Sequence, residues 1–79
     1  MKNNVEKWAD RHGLKWQHIG NYDDGGTFTP SGILITTDYF GAYPPPEVYE
    51  LHNKIAEYAR KTGHEYEPAA MHTGARVYF

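Results

Sequence analysis

The sequence predicts one small α+β domain: an antiparallel β-sheet of three to four strands with two helices packed on one face of it. Three observations support this. The 79 residues are 39% hydrophobic and 15% aromatic, enough for one core but too few for two domains. One long segment has helical periodicity, and several short β-branched or aromatic runs are bounded by glycine and proline. The predicted order of elements is α-β-β-β-α-β.

Residues 3–12 are predicted to form the first helix. Asn3 is a suitable N-cap, and Glu6 follows three residues later, as in a capping box. Gly13 provides the left-handed residue at which such a helix ends. The face toward the core consists of Val5, Trp8, Ala9 and His12.

The strands are predicted to follow as a hairpin and a central strand. Residues 14–22 form the first strand, and the Asp-Asp-Gly-Gly sequence of residues 23–26 is typical of a hairpin turn. Residues 27–29 begin the return strand, which the Pro-Ser-Gly sequence of residues 30–32 is expected to interrupt. Residues 32–39 then form the central strand, because they are the richest in β-branched residues.

Residues 46–62 are predicted to form the second helix. Pro46 suits the first helical position, where its missing N–H costs nothing, and Gly63 ends the helix. The predicted buried stripe consists of Val48, Leu51, Ile55, Tyr58 and Ala59. Two glutamate–lysine pairs have the favourable i,i+4 order, Glu50 to Lys54 and Glu57 to Lys61.

The C-terminal part is predicted to end in a strand. Residues 64–67 form a candidate short strand before Pro68, and Thr73-Gly74 a candidate turn. Residues 75–79 alternate between the two faces of a strand, so they are expected to join the sheet.

Five histidines are candidates for chemistry: His12, His18, His52, His64 and His72. None has the spacing of a familiar metal motif, and the chain contains no cysteine. We therefore expect partly buried histidines with one hydrogen bond each, no metal site and no cofactor. The positions of His12 and His18 would allow a contact across a helix–strand junction, and those of His64 and His72 a contact across a hairpin.

Charge is distributed unevenly along the chain. The formal net charge is −2, but residues 21–50 carry five carboxylates and no Lys or Arg, together with half of the aromatic residues. A nucleic-acid ligand requires clustered cations, so we expect no direct nucleic-acid binding. Carboxylates beside aromatic anchors instead favour a basic protein surface. The predicted binding edge consists of Tyr22, Asp23, Asp24, Asp38, Tyr39, Phe40 and Tyr43.

The leading hypothesis is a non-enzymatic protein-interaction module or inhibitor that binds a basic partner protein. Such compact acidic proteins are common among accessory factors of phages and mobile elements, and a homodimer is left open. One alternative is a small toxin-like or nucleic-acid-processing enzyme that uses a histidine and an aspartate. Another is a carbohydrate or small-ligand binder that stacks its ligand on Trp8, Trp16, Tyr39 or Tyr43.

The sequence also predicts a soluble, cytoplasmic protein with no membrane partner. No apolar run approaches the ~20 residues that cross a bilayer. Residues 1–6 lack the apolar centre of a signal peptide.

Overall fold

The computed structural model describes residues 3–79 of the chain. Its four strands form one antiparallel sheet in the order β1-β2-β4-β3. A short 3₁₀ turn at Ala70–His72 precedes the last strand. The elements are α1 (Asn4–Arg11), β1 (Lys15–Tyr22), β2 (Phe28–Thr36), α2 (Pro46–Thr62), β3 (Tyr66–Pro68) and β4 (Gly74–Tyr78).

The α+β class, the antiparallel sheet and the placement of both helices on one face of the sheet are confirmed. The strands contribute Ile33, Ile35, Ala75 and Val77 to the helix-covered face, all fully buried. Alternate residues of a strand point to the same face, so these four residues share one side of the sheet. From the helices, the core receives Val5, Trp8, Ala9, Ile55 and Ala59.

The order of elements differs from the prediction: it is α-β-β-α-β-β. The two segments expected to flank a turn at residues 30–32 form one continuous strand, β2. Pro30 is tolerated within β2 because β4 pairs only with residues 32–36, so its missing N–H leaves no gap between those strands. The additional strand, β3, lies at the edge of the sheet and pairs with β4 alone. Pro68 is tolerated in β3 because an edge strand has one side without a partner strand.

Local signals at the helix ends are confirmed in part. The Asn3 side chain accepts a hydrogen bond from the Glu6 N–H at 3.0 Å, as an N-cap does. The Glu6 side chain does not complete a capping box, because it reaches His18 instead. Gly13 and Gly63 both adopt the left-handed conformation that ends a helix.

The β1–β2 hairpin extends beyond the rest of the sheet. Residues 28–31 of β2 lie past the last β4 pair, so this part is a two-stranded ribbon, here called the hairpin arm (residues 20–30). The arm begins at a bulge between Ile19 and Gly20. Any side chain at Gly20 would collide with the Thr29 backbone carbonyl.

Candidate protein-binding surface

The predicted binding-edge residues fall into two groups at opposite ends of the β1–β2 hairpin. Tyr22 pairs with Phe28 at one end of the ladder, and Lys15 pairs with Thr36 at the other. At ~3.3 Å per residue, β2 separates these ends by about 26 Å. The two groups are therefore not side by side, because the first lies at the hairpin turn and the second follows the far end of the return strand.

At the hairpin tip, the side chain and the backbone of Asp23 both make hydrogen bonds that close the turn. Its carboxylate accepts a hydrogen bond from the Thr27 N–H at 2.8 Å. Its backbone N–H donates to the Thr27 carbonyl, and its carbonyl accepts from the Gly26 N–H. Tyr22 packs edge-on against Phe28, with ring centroids 5.1 Å apart. Turn formation thus accounts for Asp23, and only Asp24 remains as an exposed acid that these contacts do not use.

The second group lies on a loop that is held against the 3₁₀ turn. The Gly41 N–H donates to the Met71 carbonyl at 3.0 Å, and the Thr37 N–H donates to the Thr73 carbonyl at 2.9 Å. Tyr39 is half-buried and folds over Gly41, where a Cβ would lie only 2.6 Å from the tyrosine hydroxyl. These two hydrogen bonds and the contact between Tyr39 and Gly41 therefore hold the loop in place.

Four large side chains are exposed on the loop, on the first turn of α2 and on the 3₁₀ turn. Phe40 is 75% exposed and Tyr43 is 90% exposed, although both are aromatic. Two further members were not predicted: Tyr49, whose ring lies 5.6 Å from that of His72, and Met71, whose carbonyl anchors the loop. We call Phe40, Tyr43, Tyr49 and Met71 the aromatic patch. An exposed apolar surface of this kind is typical of an interaction site.

Three exposed carboxylates lie near members of the aromatic patch in sequence. Glu47 and Glu50 are exposed in the first turns of α2, beside Tyr49 in sequence. Asp38, next to Tyr39, forms an exposed ion pair with Lys15 at 3.8 Å. Between Lys15 and Lys54 the chain contains no Lys or Arg, so the segments that form this end are acidic.

A group of titratable side chains lies behind the aromatic patch. His52 on α2 is only 8% exposed, and its Nδ1 atom shares a 3.0 Å hydrogen bond with the Tyr66 hydroxyl. Its Nε2 atom is buried and has no hydrogen-bond partner of good geometry within the described residues, and the ring of His72 lies 5.6 Å from the His52 ring. We call His52, Tyr66 and His72 the imidazole cluster. Helical spacing from Val48 and Ile55 could have placed His52 on the buried face of α2.

Burial shifts the ionisation of this cluster. The pKa of His52 is lowered from its ordinary value, first by burial and then by the neighbouring His72, while a backbone contact with His72 acts in the opposite direction. Burial also raises the pKa of the Tyr66 hydroxyl. Both groups are therefore held in their neutral forms at neutral pH.

The four histidines of the pairs His12–His18 and His64–His72 make contacts with other residues. His18 pairs with the buried Glu6 at 2.9 Å, and His12 packs against Trp8. His64 donates from Nδ1 to the Tyr78 carbonyl at 2.9 Å, whereas His72 faces His52. Within residues 3–79, no group of three or more His, Cys, Asp or Glu side chains is placed to hold a metal ion.

A shallow cleft of about 200 Å³ lies between the two helices. The aromatic residues of the cleft pack against each other. Trp8 is almost fully buried and stacks on Tyr58, with ring centroids 4.4 Å apart. Trp16, outside the cleft, donates its indole N–H to Asp10 at 2.9 Å. Two of the four aromatic residues that the ligand-binding alternative named, Trp8 and Trp16, therefore have packing and hydrogen-bonding roles.

The sequence matches no protein-family model, no curated protein and no solved structure at a significant level. Among the helices of the described residues, none has the length and apolar character needed to cross a bilayer. The functional argument therefore depends on the exposed surface itself.

Proposed function

We propose that this protein is a small interaction module or inhibitor whose aromatic patch docks onto a basic surface of a partner protein. The observation that carries the proposal is the exposure of Phe40 and Tyr43, 75% and 90%, on an ordered loop. A small domain ordinarily needs its aromatic residues for its core. Phe40 and Tyr43 contribute no such burial in the free protein, and exposed apolar groups of this kind are typical of interaction sites.

The loop supports docking because it is ordered before binding. Its hydrogen bonds to the carbonyls of Met71 and Thr73 fix one end. The buried Pro44 and the two prolines that follow it stiffen the other end. A surface that is already ordered loses little conformational entropy on binding, and more of its contact energy becomes affinity.

Charge selects the class of partner. Asp38, Glu47 and Glu50 are the exposed carboxylates nearest to the patch in sequence. Lys15 pairs with Asp38, and residues 16–53 contain no Lys or Arg. Acidic segments of this kind repel nucleic acid and attract a protein surface rich in Lys and Arg. A gel shift at low salt is expected to give no tight DNA or RNA complex.

The partner can be captured through the patch itself. A photo-crosslinking phenylalanine analogue replaces Tyr43 in one bait and Tyr22, on the hairpin arm, in a matched control bait. Crosslinking in cells of the native host is expected to trap a basic protein through position 43 and not through position 22. That protein is then purified, and its binding is measured by surface plasmon resonance.

Two kinds of variant distinguish the aromatic side chains from the nearby carboxylates by their effects on the dissociation and association rates. Tyr43→Ala and Phe40→Ala are expected to raise the off-rate about tenfold or more, as loss of a buried aromatic anchor does. Glu47→Gln with Glu50→Gln is expected to slow association and weaken its salt dependence. Tyr22→Ala should change neither rate. A larger effect of Tyr22→Ala, or a patch-mediated dimer of this chain in sedimentation, would contradict the proposal.

A further inference from the structure

We propose that the cleft between α1 and α2 is a binding site for a small molecule that joins one carboxylate to an apolar ring. The proposal is independent of the function proposed above, because none of the residues that line the cleft belongs to the aromatic patch. The cleft has a volume of about 200 Å³. An apolar cavity of about 150 Å³ holds one benzene molecule, so this cleft has room for one ring and a short acid group.

One face of each helix lines the cleft. Two side chains four residues apart come from α1 and its C-cap, and four side chains with the spacing of one helical face come from α2. The lining residues are Trp8, His12, Lys54, Glu57, Tyr58 and Lys61. The stacked rings of Trp8 and Tyr58 give the cleft an apolar surface against which a ligand ring can pack.

Trp8 also brings a hydrogen-bond donor that the protein does not use. Tyr58 and His12 pack against its ring, but its indole N–H makes no hydrogen bond within residues 3–79 and is not sealed from solvent. The indole N–H of Trp16, in contrast, donates to Asp10 at 2.9 Å. The N–H of a buried tryptophan usually has an acceptor. A ligand oxygen in the cleft would supply the acceptor that Trp8 lacks.

The cleft carries a positive charge that no carboxylate neutralises. Lys61 pairs with Glu57 at 2.9 Å, as their spacing predicts. Within residues 3–79, Lys54 forms no ion pair, so the predicted pair with the glutamate four residues before it is absent. The pKa of His12 is lowered by burial and then by Lys54 and Arg11, so both cations lie near the same imidazole. An anion is therefore favoured here, although the whole chain has a formal net charge of −2.

These groups match the two parts of an aromatic carboxylate. An ionised carboxylate accepts hydrogen bonds at both oxygens, and the cleft offers the Trp8 N–H and the Lys54 ammonium as donors. The ligand ring replaces water against the apolar surface of Trp8 and Tyr58. Because Lys54 is the unpaired lysine of the lining, its charge balances one carboxylate rather than the double charge of a phosphate monoester.

Titration of the unaltered protein with phenylacetate, followed by NMR, tests the site. The indole N–H signals of the two tryptophans are the reporters. The Trp8 signal is expected to shift and reach saturation together with the amides of residues 54–61, whereas the Trp16 signal stays in place. Phenylacetamide has the same ring without the charge and is expected to bind at least about tenfold more weakly.

Two lysine variants provide the matched comparison. Lys54→Gln is expected to weaken phenylacetate binding about fivefold to tenfold, because it removes a charge-assisted hydrogen bond. Lys7→Gln, at an exposed lysine of α1 outside the cleft lining, should leave the affinity unchanged. Circular dichroism verifies that both variants fold.

Four results would overturn the proposal. They are a Trp8 signal that phenylacetate does not shift, equal binding of phenylacetate and phenylacetamide, equal affinities of the two lysine variants, and tighter binding of a glutamate-rich peptide, which would assign the cleft to an acidic protein. A Trp8 shift that depends on protein concentration without the probe would instead place a second copy of this chain in the cleft and overturn it as well. None of these results affects the kinetic test of the aromatic patch.

Discussion

Ile55 illustrates how one residue of the predicted stripe supports the whole core. It lies in the middle of α2 and is fully buried against the sheet. Val48 and Ala59 of the same stripe are also buried, and Leu51 and Tyr58 are partly buried. The sequence predicted this buried face, because side chains on one face of an α-helix recur about every 3.6 residues.

Replacing Ile55 by alanine is expected to destabilise the protein by about 2–4 kcal/mol, the cost of a cavity in a close-packed core. Lys54→Ala, one position away on the exposed side, should cost about 0.5 kcal/mol or less. The free energy of unfolding from urea titrations measures both. Equal losses in the two variants would contradict the assigned face of α2.

Sequence reasoning was less successful for side chains whose role depends on distant partners. Asp23 was expected to belong to the binding edge, but its carboxylate accepts a hydrogen bond from the Thr27 N–H within the turn. His52 was expected to make one hydrogen bond and does so, but its second nitrogen is buried without a partner. In each case the sequence showed which kind of residue is present, but the tertiary structure determined which groups it contacts.

At the scale of elements, the hairpin arm depends on one close backbone approach. Gly20 opens the arm beside the bulge, where its Cα faces the Thr29 carbonyl. Gly25, in the turn, has open surroundings, and its nearest neighbour to an added Cβ is an Asp23 carboxylate oxygen at 3.4 Å.

Gly20→Ala is therefore expected to cost about 1–3 kcal/mol, because the backbone must shift to accept the methyl group. The matched change Gly25→Ala should stay within about 0.5 kcal/mol of the original protein. Thermal unfolding followed by circular dichroism gives the stabilities, and NMR shifts of residues 20–30 report whether the arm has moved. A neutral Gly20→Ala would mean that β1 and β2 are not closely paired at the bulge.

Elements with local signals were predicted well. Both helices begin and end within a residue of their predicted limits, because caps and glycine stops act within one turn. Pro30 was misjudged, since its effect on a strand depends on whether another strand lies alongside. That information is absent from the residues around it.

At the scale of the whole molecule, stability is expected to fall on mild acidification. The pKa of His52 is lowered mainly by burial, and that of His12 is lowered by desolvation, then by Lys54 and Arg11. The unfolded chain therefore binds more protons than the folded one once the pH falls below about 6.5. The stabilisation is complete above that pH and is lost as the pH falls toward the lower folded values.

Urea titrations between pH 7.5 and 5.5 measure this dependence, and His52→Gln should flatten it. On the alkaline side, the raised pKa of Tyr66 implies a loss of stability as the pH rises above about 10, where the unfolded chain releases its proton first. A stability that is constant from pH 7.5 to 5.5 would contradict the burial of a neutral His52.

The sequence by itself determined the α+β class, both helices, the hairpin turn and the acidic, aromatic character of residues 21–50. These properties follow from periodicity, capping and composition, all of which act over a few residues. Only the tertiary structure decided that β2 continues through Pro30 and that Tyr22 and Phe40 lie at opposite ends of the hairpin. It also decided that Tyr49 and Met71 are exposed, as Phe40 and Tyr43 are, and that the ring of His52 lies beside that of His72. Those outcomes depend on strand register and on contacts between segments far apart in the chain, where a shift of one residue reverses the face on which a side chain lies.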